Sequence, residues 1–120
     1  MTRKSSMLYG GGLWSGLPLT GTVRAALTAA GTTIADALAL TGDVNQITTC
    51  ASGAGAKSPV LAPGDSVVVA NEGANALLLY PPTEAITLNG GTAGAAVSVA
   101  AGKSALVTGL TAGGYSVLVG

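Results

Sequence analysis

A chain of 120 residues is long enough for one domain with a modest hydrophobic core. Its 5 basic and 5 acidic residues cancel to a formal net charge of +0, which argues against a nucleic-acid-binding protein because such proteins cluster Lys and Arg. Charged residues make up only 8% of the chain, far below the roughly 25% of a typical soluble domain. We therefore expect much of its surface to lie against other protein.

The residues that usually carry catalysis or hold a metal are few and scattered. There is no histidine, the residue that most acid–base sites and many metal sites use. Cys50 is the single cysteine, and we expect it to be a small buried core residue. The acidic residues stand apart from one another, mostly in predicted turns: Asp36, Asp43, Asp65, Glu72 and Glu84. The sequence therefore predicts no enzyme, no cofactor and no metal site.

The first residues resemble a signal peptide only in their charges. Arg3 and Lys4 could form its basic region, but the glycines at 10–12 and Pro18 interrupt the apolar run that must follow. No stretch of the sequence approaches the length of a membrane span. We therefore expect synthesis in the cytoplasm and no membrane partner.

Residues 1–31 are predicted to form an N-terminal arm that precedes a β-domain at 32–120. Apolar side chains of the arm form islands between glycine and serine, without helical or strand periodicity. Ordering about twenty residues costs roughly 20–40 kcal/mol of conformational entropy, whereas burying about eight apolar side chains stabilises by roughly 12–24 kcal/mol. We therefore expect the arm to order against a partner, with Trp14 as its anchor; a floppy terminus is the alternative. The predicted partner-binding residues are Met7, Leu8, Tyr9, Leu13, Trp14, Leu17 and Leu19.

The end of the arm has the pattern of a short helix over residues 22–30. Thr22 can cap the first turn, and Gly31 stands where a C-terminal capping glycine belongs. Between them, apolar residues recur at helical spacing. The pattern favours one short helix before the β-domain.

From residue 32 onward the pattern changes to short strands separated by turns. Asn89 and Gly90 are a strong signal for a hairpin between two of these strands. Strands are predicted at 33–40, 45–51, 66–70, 76–80, 85–88, 95–100, 104–108 and 115–119. About eight short strands with frequent turn signals predict an all-β fold, a small antiparallel sandwich or barrel.

The stretch at 61–80 has the pattern of a complete β-hairpin. Pro63 and Gly64 form the entering turn, because proline fixes φ and glycine tolerates a positive φ. The loop between the two strands contains the remaining predicted turn residues of this stretch, Asn71, Gly73 and Asn75.

The same plan returns later in the chain. Residues 61–69 align without gaps with residues 99–107, which places Gly102 at the position of Gly64. Two copies are too few for a solenoid repeat. The alignment instead predicts two glycine-turned hairpins that pack against each other.

Three segments carry a resemblance to a known family. They are TGDVNQITTCA at 41–51, PGDSVVVANEGANALLLYPP at 63–82 and LNGGTAGAAVSVAAGKSA at 88–105. They resemble a family of small Ala/Gly/Val-rich β-domains among the virion structural proteins of tailed phages, including capsid decoration (cement) proteins. Members often carry a tryptophan near the last strand, where this chain has Tyr115.

The resemblance implies a virion component on the capsid surface. A decoration protein would bind the major capsid protein through its arm, stabilise the shell, and form a homotrimer. One alternative is a tail or head-fibre adaptor module that binds a receptor. A carbohydrate-binding module is a further alternative, which the few aromatic residues disfavour because such modules stack sugars on exposed rings.

Overall fold

The computed structural model describes residues 21–120. These residues form an all-β structure, and no helix occurs among them. The strands are β1 (Val23–Thr28), β2 (Leu38–Ala39), β3 (Val44–Thr49), β4 (Gly55–Lys57), β5 (Ser66–Asn71), β6 (Leu77–Tyr80), β7 (Thr87–Leu88), β8 (Val97–Val99), β9 (Ser104–Thr111) and β10 (Gly114–Val119). The described residues thus contain no helix long and apolar enough to cross a membrane.

The strands form two mixed sheets. The six-stranded sheet has the order β1-β3-β5-β9-β10-β7, and the four-stranded sheet has the order β2-β4-β6-β8. In both sheets the first three strands run parallel, whereas β9 pairs antiparallel with β5 and β10, and β8 pairs antiparallel with β6. The all-β prediction is confirmed, but the predicted antiparallel pairing is wrong for a large part of the fold.

The chain alternates between the two sheets from β1 to β9. The pairs β1–β2, β3–β4 and β5–β6 are therefore coils that stack in parallel, one on the next. This is a solenoid-like arrangement, in place of the predicted antiparallel sandwich or barrel. The interpretation that the chain has no solenoid character was also wrong.

The hydrophobic core lies between the two sheets. Its fully buried members include Ile47, Val69 and Val107 from the six-stranded sheet, and Leu77 and Leu79 from the four-stranded sheet. Aliphatic side chains dominate this core, and the described aromatic residues Tyr80 and Tyr115 are buried as well.

The predicted helix at 22–30 is wrong, because these residues contain β1. This strand pairs in parallel with β3, and Leu27 packs against the core. An irregularity at Ala26, whose φ is +57°, shifts the register, and the Ala26 amide donates to Gln46 Oε1 at 3.1 Å. Pairing with a neighbouring strand overrides a weak helix propensity. The described sheet thus begins before residue 32, where the sequence placed the start of the β-domain.

The predicted hairpin at 61–80 is also wrong. Its two strands are β5 and β6, which belong to different sheets, so residues 72–76 form the corner of a coil. The Asn89-Gly90 turn likewise connects strands of different sheets, β7 and β8. Asn and Gly suit a coil corner as well as a hairpin turn, because both need tight local backbone geometry.

Of the predicted strand at 33–40, only Leu38–Ala39 forms strand β2. The preceding residues form a turn in which the Ala37 amide donates to the Thr33 carbonyl at 3.0 Å. The Asp36 carboxylate fixes this turn by accepting from the amides of Thr32 and Thr33 and from the Thr33 hydroxyl, at 2.8–3.0 Å.

The internal repeat corresponds to a local two-fold relation. Ser66 pairs with Thr108, and its counterpart Ser104 pairs with Ala70, the counterpart of Thr108. Val68 and Leu106, which the alignment equates, face each other at the centre. The two copies are therefore adjacent antiparallel strands, β5 and β9. In the second copy, β9 and β10 do form an antiparallel hairpin.

Candidate interaction surface

An apolar row crosses the outer face of the six-stranded sheet. The strand register places five residues side by side on neighbouring strands, from β1 through β3, β5 and β9 to β10. These residues, here called the outer apolar row, are Val23, Val44, Val68, Leu106 and Leu118. Since strand spacing is about 4.8 Å, the row extends about 19 Å across the sheet.

The row faces away from the core. Along β5 and β9, the residues on either side of its members point inward and are buried, as Val67 and Val69 are around Val68 and Val107 is beside Leu106. The outward side chains stay accessible: Val23 is 60% exposed, Leu106 40% and Leu118 69%. Contiguous exposed apolar surface on a protein usually marks a contact with another molecule.

Uncharged residues, most of them polar, flank the row on both sides. Ser66, Thr108 and Ser116 lie opposite one another on one side, where the hydroxyls of Ser66 and Thr108 are 3.1 Å apart. Gln46, Ala70 and Ser104 lie on the other side. These three rows of the outer face therefore contain no charged side chain.

Charges begin at the margin of this face. Glu72 follows β5 and accepts a hydrogen bond from Gln46 Nε2 at 2.9 Å. Lys103 immediately precedes β9 on the same side. An apolar centre with a polar, partly charged margin is the usual composition of a protein–protein contact.

The predicted turn glycines lie at matching points, each two residues before its strand, β5 or β9. Gly64 has a φ of +91° and Gly102 a φ of +81°. Pro63 precedes Gly64 in a turn closed by the Asp65 amide, which donates to the Ala62 carbonyl at 2.9 Å; the Lys103 amide donates to the Ala100 carbonyl at 3.0 Å in the second turn. This geometry is that of a type II turn, which needs a positive φ at its third residue.

The predicted loop residues Asn71, Gly73 and Asn75 come together at the corner after β5. Asn71 is completely buried, and its Nδ2 donates to the carbonyls of Asn75 and Val99, both at 2.9 Å. Its Oδ1 accepts from the Gly73 amide at 3.0 Å. Asn75 Nδ2 donates to the Cys50 carbonyl at 2.9 Å, which ties the corner to the preceding coil. The arrangement holds backbone groups together, and both N–H groups of Asn71 Nδ2 are used.

The predicted arm residues lie outside the described residues, so their roles stay predictions. They are Met7, Leu8, Tyr9, Leu13, Trp14, Leu17 and Leu19. The outer apolar row was missed by the sequence analysis. Its signal was the presence of consecutive apolar residues in strands, as in residues 67–69 and 105–107, because such runs place apolar side chains on both faces of a sheet.

Within residues 21–120, no group of three or more His, Cys, Asp or Glu residues lies close enough together to hold a metal ion. Cys50 is buried, and burial raises the pKa of its thiol, which disfavours the reactive thiolate.

A half-open groove of about 290 Å³ lies between the segments 41–43, 59–61 and 65–67. Its two carboxylates accept backbone hydrogen bonds: Asp43 Oδ2 accepts from the Thr22 amide beside β1 at 2.8 Å, and Asp65 Oδ2 accepts from the Ala62 amide of its own turn at 3.2 Å. These contacts give both carboxylates a structural role.

Comparison of the chain with family models, curated proteins and solved structures gave no match.

Proposed function

We propose that this chain is a capsid decoration protein of a tailed phage. It binds the major capsid protein at the outer surface of the shell through its N-terminal arm and stabilises the shell. It acts as a homotrimer on the virion after synthesis in the host cytoplasm.

The observation that carries this proposal is the uncharged, apolar outer face of the six-stranded sheet. A protein that works alone in solution normally carries charge on such a face, because charge keeps it soluble and monomeric. Here Leu118 is 69% exposed between two neutral rows. Such a surface suits a protein that functions while bound to other protein. A decoration protein functions in that way.

The same structure favours this function over carbohydrate binding. Sugar-binding modules stack sugar rings on exposed aromatic side chains. The aromatic residues of the described part, Tyr80 and Tyr115, are 9% and 1% exposed. Their hydroxyls are also engaged: Tyr80 donates to the Thr32 carbonyl at 2.9 Å, and Tyr115 accepts from the Leu61 amide at 2.8 Å.

Removal of the arm tests the proposed role directly. The variant lacking residues 1–21 and the full chain are each mixed with shells of the major capsid protein and sedimented. We expect the full chain to sediment with the shells and the truncated chain to stay in solution, since the arm supplies the anchor. Three arms on one trimer add through effective concentration, so their loss should be severe.

Trp14→Ala in the full chain is the finer version of this experiment. We expect weaker shell binding by about 2–4 kcal/mol, the scale of an interface hot spot. Circular dichroism of each variant checks that the β-structure is retained. Equal sedimentation of the truncated and full chains would show that the arm is not the anchor.

A further inference from the structure

We propose that the outer apolar row is where copies of this chain contact one another. In the proposed homotrimer, the outer faces of three six-stranded sheets surround the three-fold axis. The inference rests on the proposed function for the trimer, and it adds the surface through which the trimer forms.

Charge is the first reason to assign this face to another copy. A face meets its own copy without penalty only when it brings no like charges together, since like charges repel and desolvation of an unpaired charge is costly. The outer apolar row and its two flanking rows contain no ionisable side chain. The face is therefore compatible with itself.

The flanking residues are the second reason. Ser66, Thr108 and Ser116 carry hydroxyl groups, which both donate and accept hydrogen bonds. The same is true of Ser104. Identical rows of such groups can satisfy one another across a contact, whereas a partner of fixed charge would find no opposite charge here.

The area of the outer face limits the strength of the contact between copies. Five strands at about 4.8 Å spacing, each about six residues long at about 3.3 Å per residue, give a face of about 20 by 20 Å. Three such faces bury on the order of 1,200 Å² in the whole trimer, or about 400 Å² for each pair of copies, which is below the range of stable protein interfaces. We therefore expect an association that depends on protein concentration and becomes firm where the arms hold copies together on a shell.

Sedimentation equilibrium of the full chain, from micromolar to millimolar concentration and without capsid protein, tests the inference. We expect the mass to rise with concentration toward three copies. Leu118→Asp should weaken association at least about 100-fold, because it places a charge in the apolar contact. Leu118 is 69% exposed, so this variant should keep its fold, which thermal unfolding verifies.

Val60→Asp is the matched control, because Val60 is 78% exposed and lies in the segment before β5, outside the outer apolar row. It adds the same charge and should associate like the unaltered chain. A chain that stays monomeric throughout, a Leu118→Asp variant that associates normally, or equal loss in both variants would overturn the inference. A two-copy mass that Leu118→Asp abolishes would keep this face as the contact and replace the trimer with a dimer.

Shell binding is measured separately by the arm experiment. Loss of self-association in Leu118→Asp with a normal response to arm deletion would confirm the face alone. Normal self-association in a chain that never binds shells would overturn the capsid role and leave the self-contact standing.

Discussion

Buried asparagines hold the corners of the coils. Asn45 and Asn71 are both completely buried, and each uses its side-chain amide to satisfy backbone groups that the strands leave unpaired. A buried backbone amide or carbonyl without a partner costs about 1–3 kcal/mol. These polar side chains therefore stabilise positions where an aliphatic side chain would leave backbone groups unpaired.

Asn71→Leu should be strongly destabilising. Leucine has as many side-chain heavy atoms as asparagine, but it cannot make the bonds to the Gly73 amide and to the carbonyls of Asn75 and Val99. We expect a loss of about 3–5 kcal/mol in the free energy of unfolding, measured by urea denaturation. Asn75→Leu is the control, since its side chain is exposed and makes one hydrogen bond, to the Cys50 carbonyl. Equal losses in the two variants would contradict this account of the corner.

Asp36 gives the turn before β2 a pH-dependent contribution. Hydrogen bonds from the Thr33 amide and hydroxyl, with a further one from the Thr32 amide, hold the pKa of the Asp36 carboxyl below its ordinary value of 3.8. Because the folded pKa is depressed, the stabilisation is present above the unfolded pKa and is lost as the pH falls through the folded pKa. Asp36 is exposed, so solvent screening keeps the effect small.

The comparison of the unaltered chain with Asp36→Asn isolates this effect. We expect the unaltered chain to have the higher melting temperature at pH 7, and the difference to shrink as the pH is lowered below about 4. Melting curves from pH 7 to pH 2 provide the measurement. A difference that stays constant over this range would mean that ionisation of Asp36 does not stabilise the turn.

At the scale of elements, the pairing of the strands could not be predicted from the sequence. The alternation of residues in β5 and the turn chemistry around Gly64 identified a strand and its start. The same residues do not specify whether the chain then folds back as a hairpin or crosses to a second sheet. Parallel neighbours such as β1 and β3 are separated by a whole coil, and no local pattern records that separation.

The repeat shows which part of the fold the sequence could predict and which part it could not. Alignment of 61–69 with 99–107 equates the two turns, and these turns do lead into adjacent strands, β5 and β9. After these strands the copies diverge, because β5 continues into the four-stranded sheet and β9 continues into a hairpin. The outer apolar row was equally hidden, since it exists only once the register of five strands is known.

The two matching turns should be sensitive to a side chain. Gly64→Val and Gly102→Val force a β-branched residue to a φ of +91° or +81°, although the space around either glycine is open. We expect each substitution to cost at least about 1–2 kcal/mol of unfolding free energy from backbone strain. Thermal unfolding measures the effect.

Gly113→Val is the control for those two variants. Gly113 also has open space around it but does not have a positive φ. Its substitution should change the stability by much less. If all three variants melt at the same temperature as the unaltered chain, positive φ is not what these turns require.

At the scale of the whole molecule, different parts of the chain have different proposed tasks. Three parallel coils and the antiparallel strands β8–β10 enclose an aliphatic core between two sheets. One sheet turns an uncharged, apolar face outward, where we place the contact between copies. Residues 1–21, the part of the predicted arm that precedes β1, are the proposed anchor to the shell. The two kinds of contact strengthen each other, because a copy held at one contact has a higher effective concentration for the other.

The number of copies in purified virions tests the central claim most directly. Quantitative mass spectrometry compares peptides of this chain with peptides of the major capsid protein in particles assembled from the genome that encodes it. We predict copies in a fixed and substantial proportion to the major capsid protein, as a shell-covering trimer requires. A handful of copies per particle would place the chain in the tail or a fibre, and its absence from particles would contradict the account altogether.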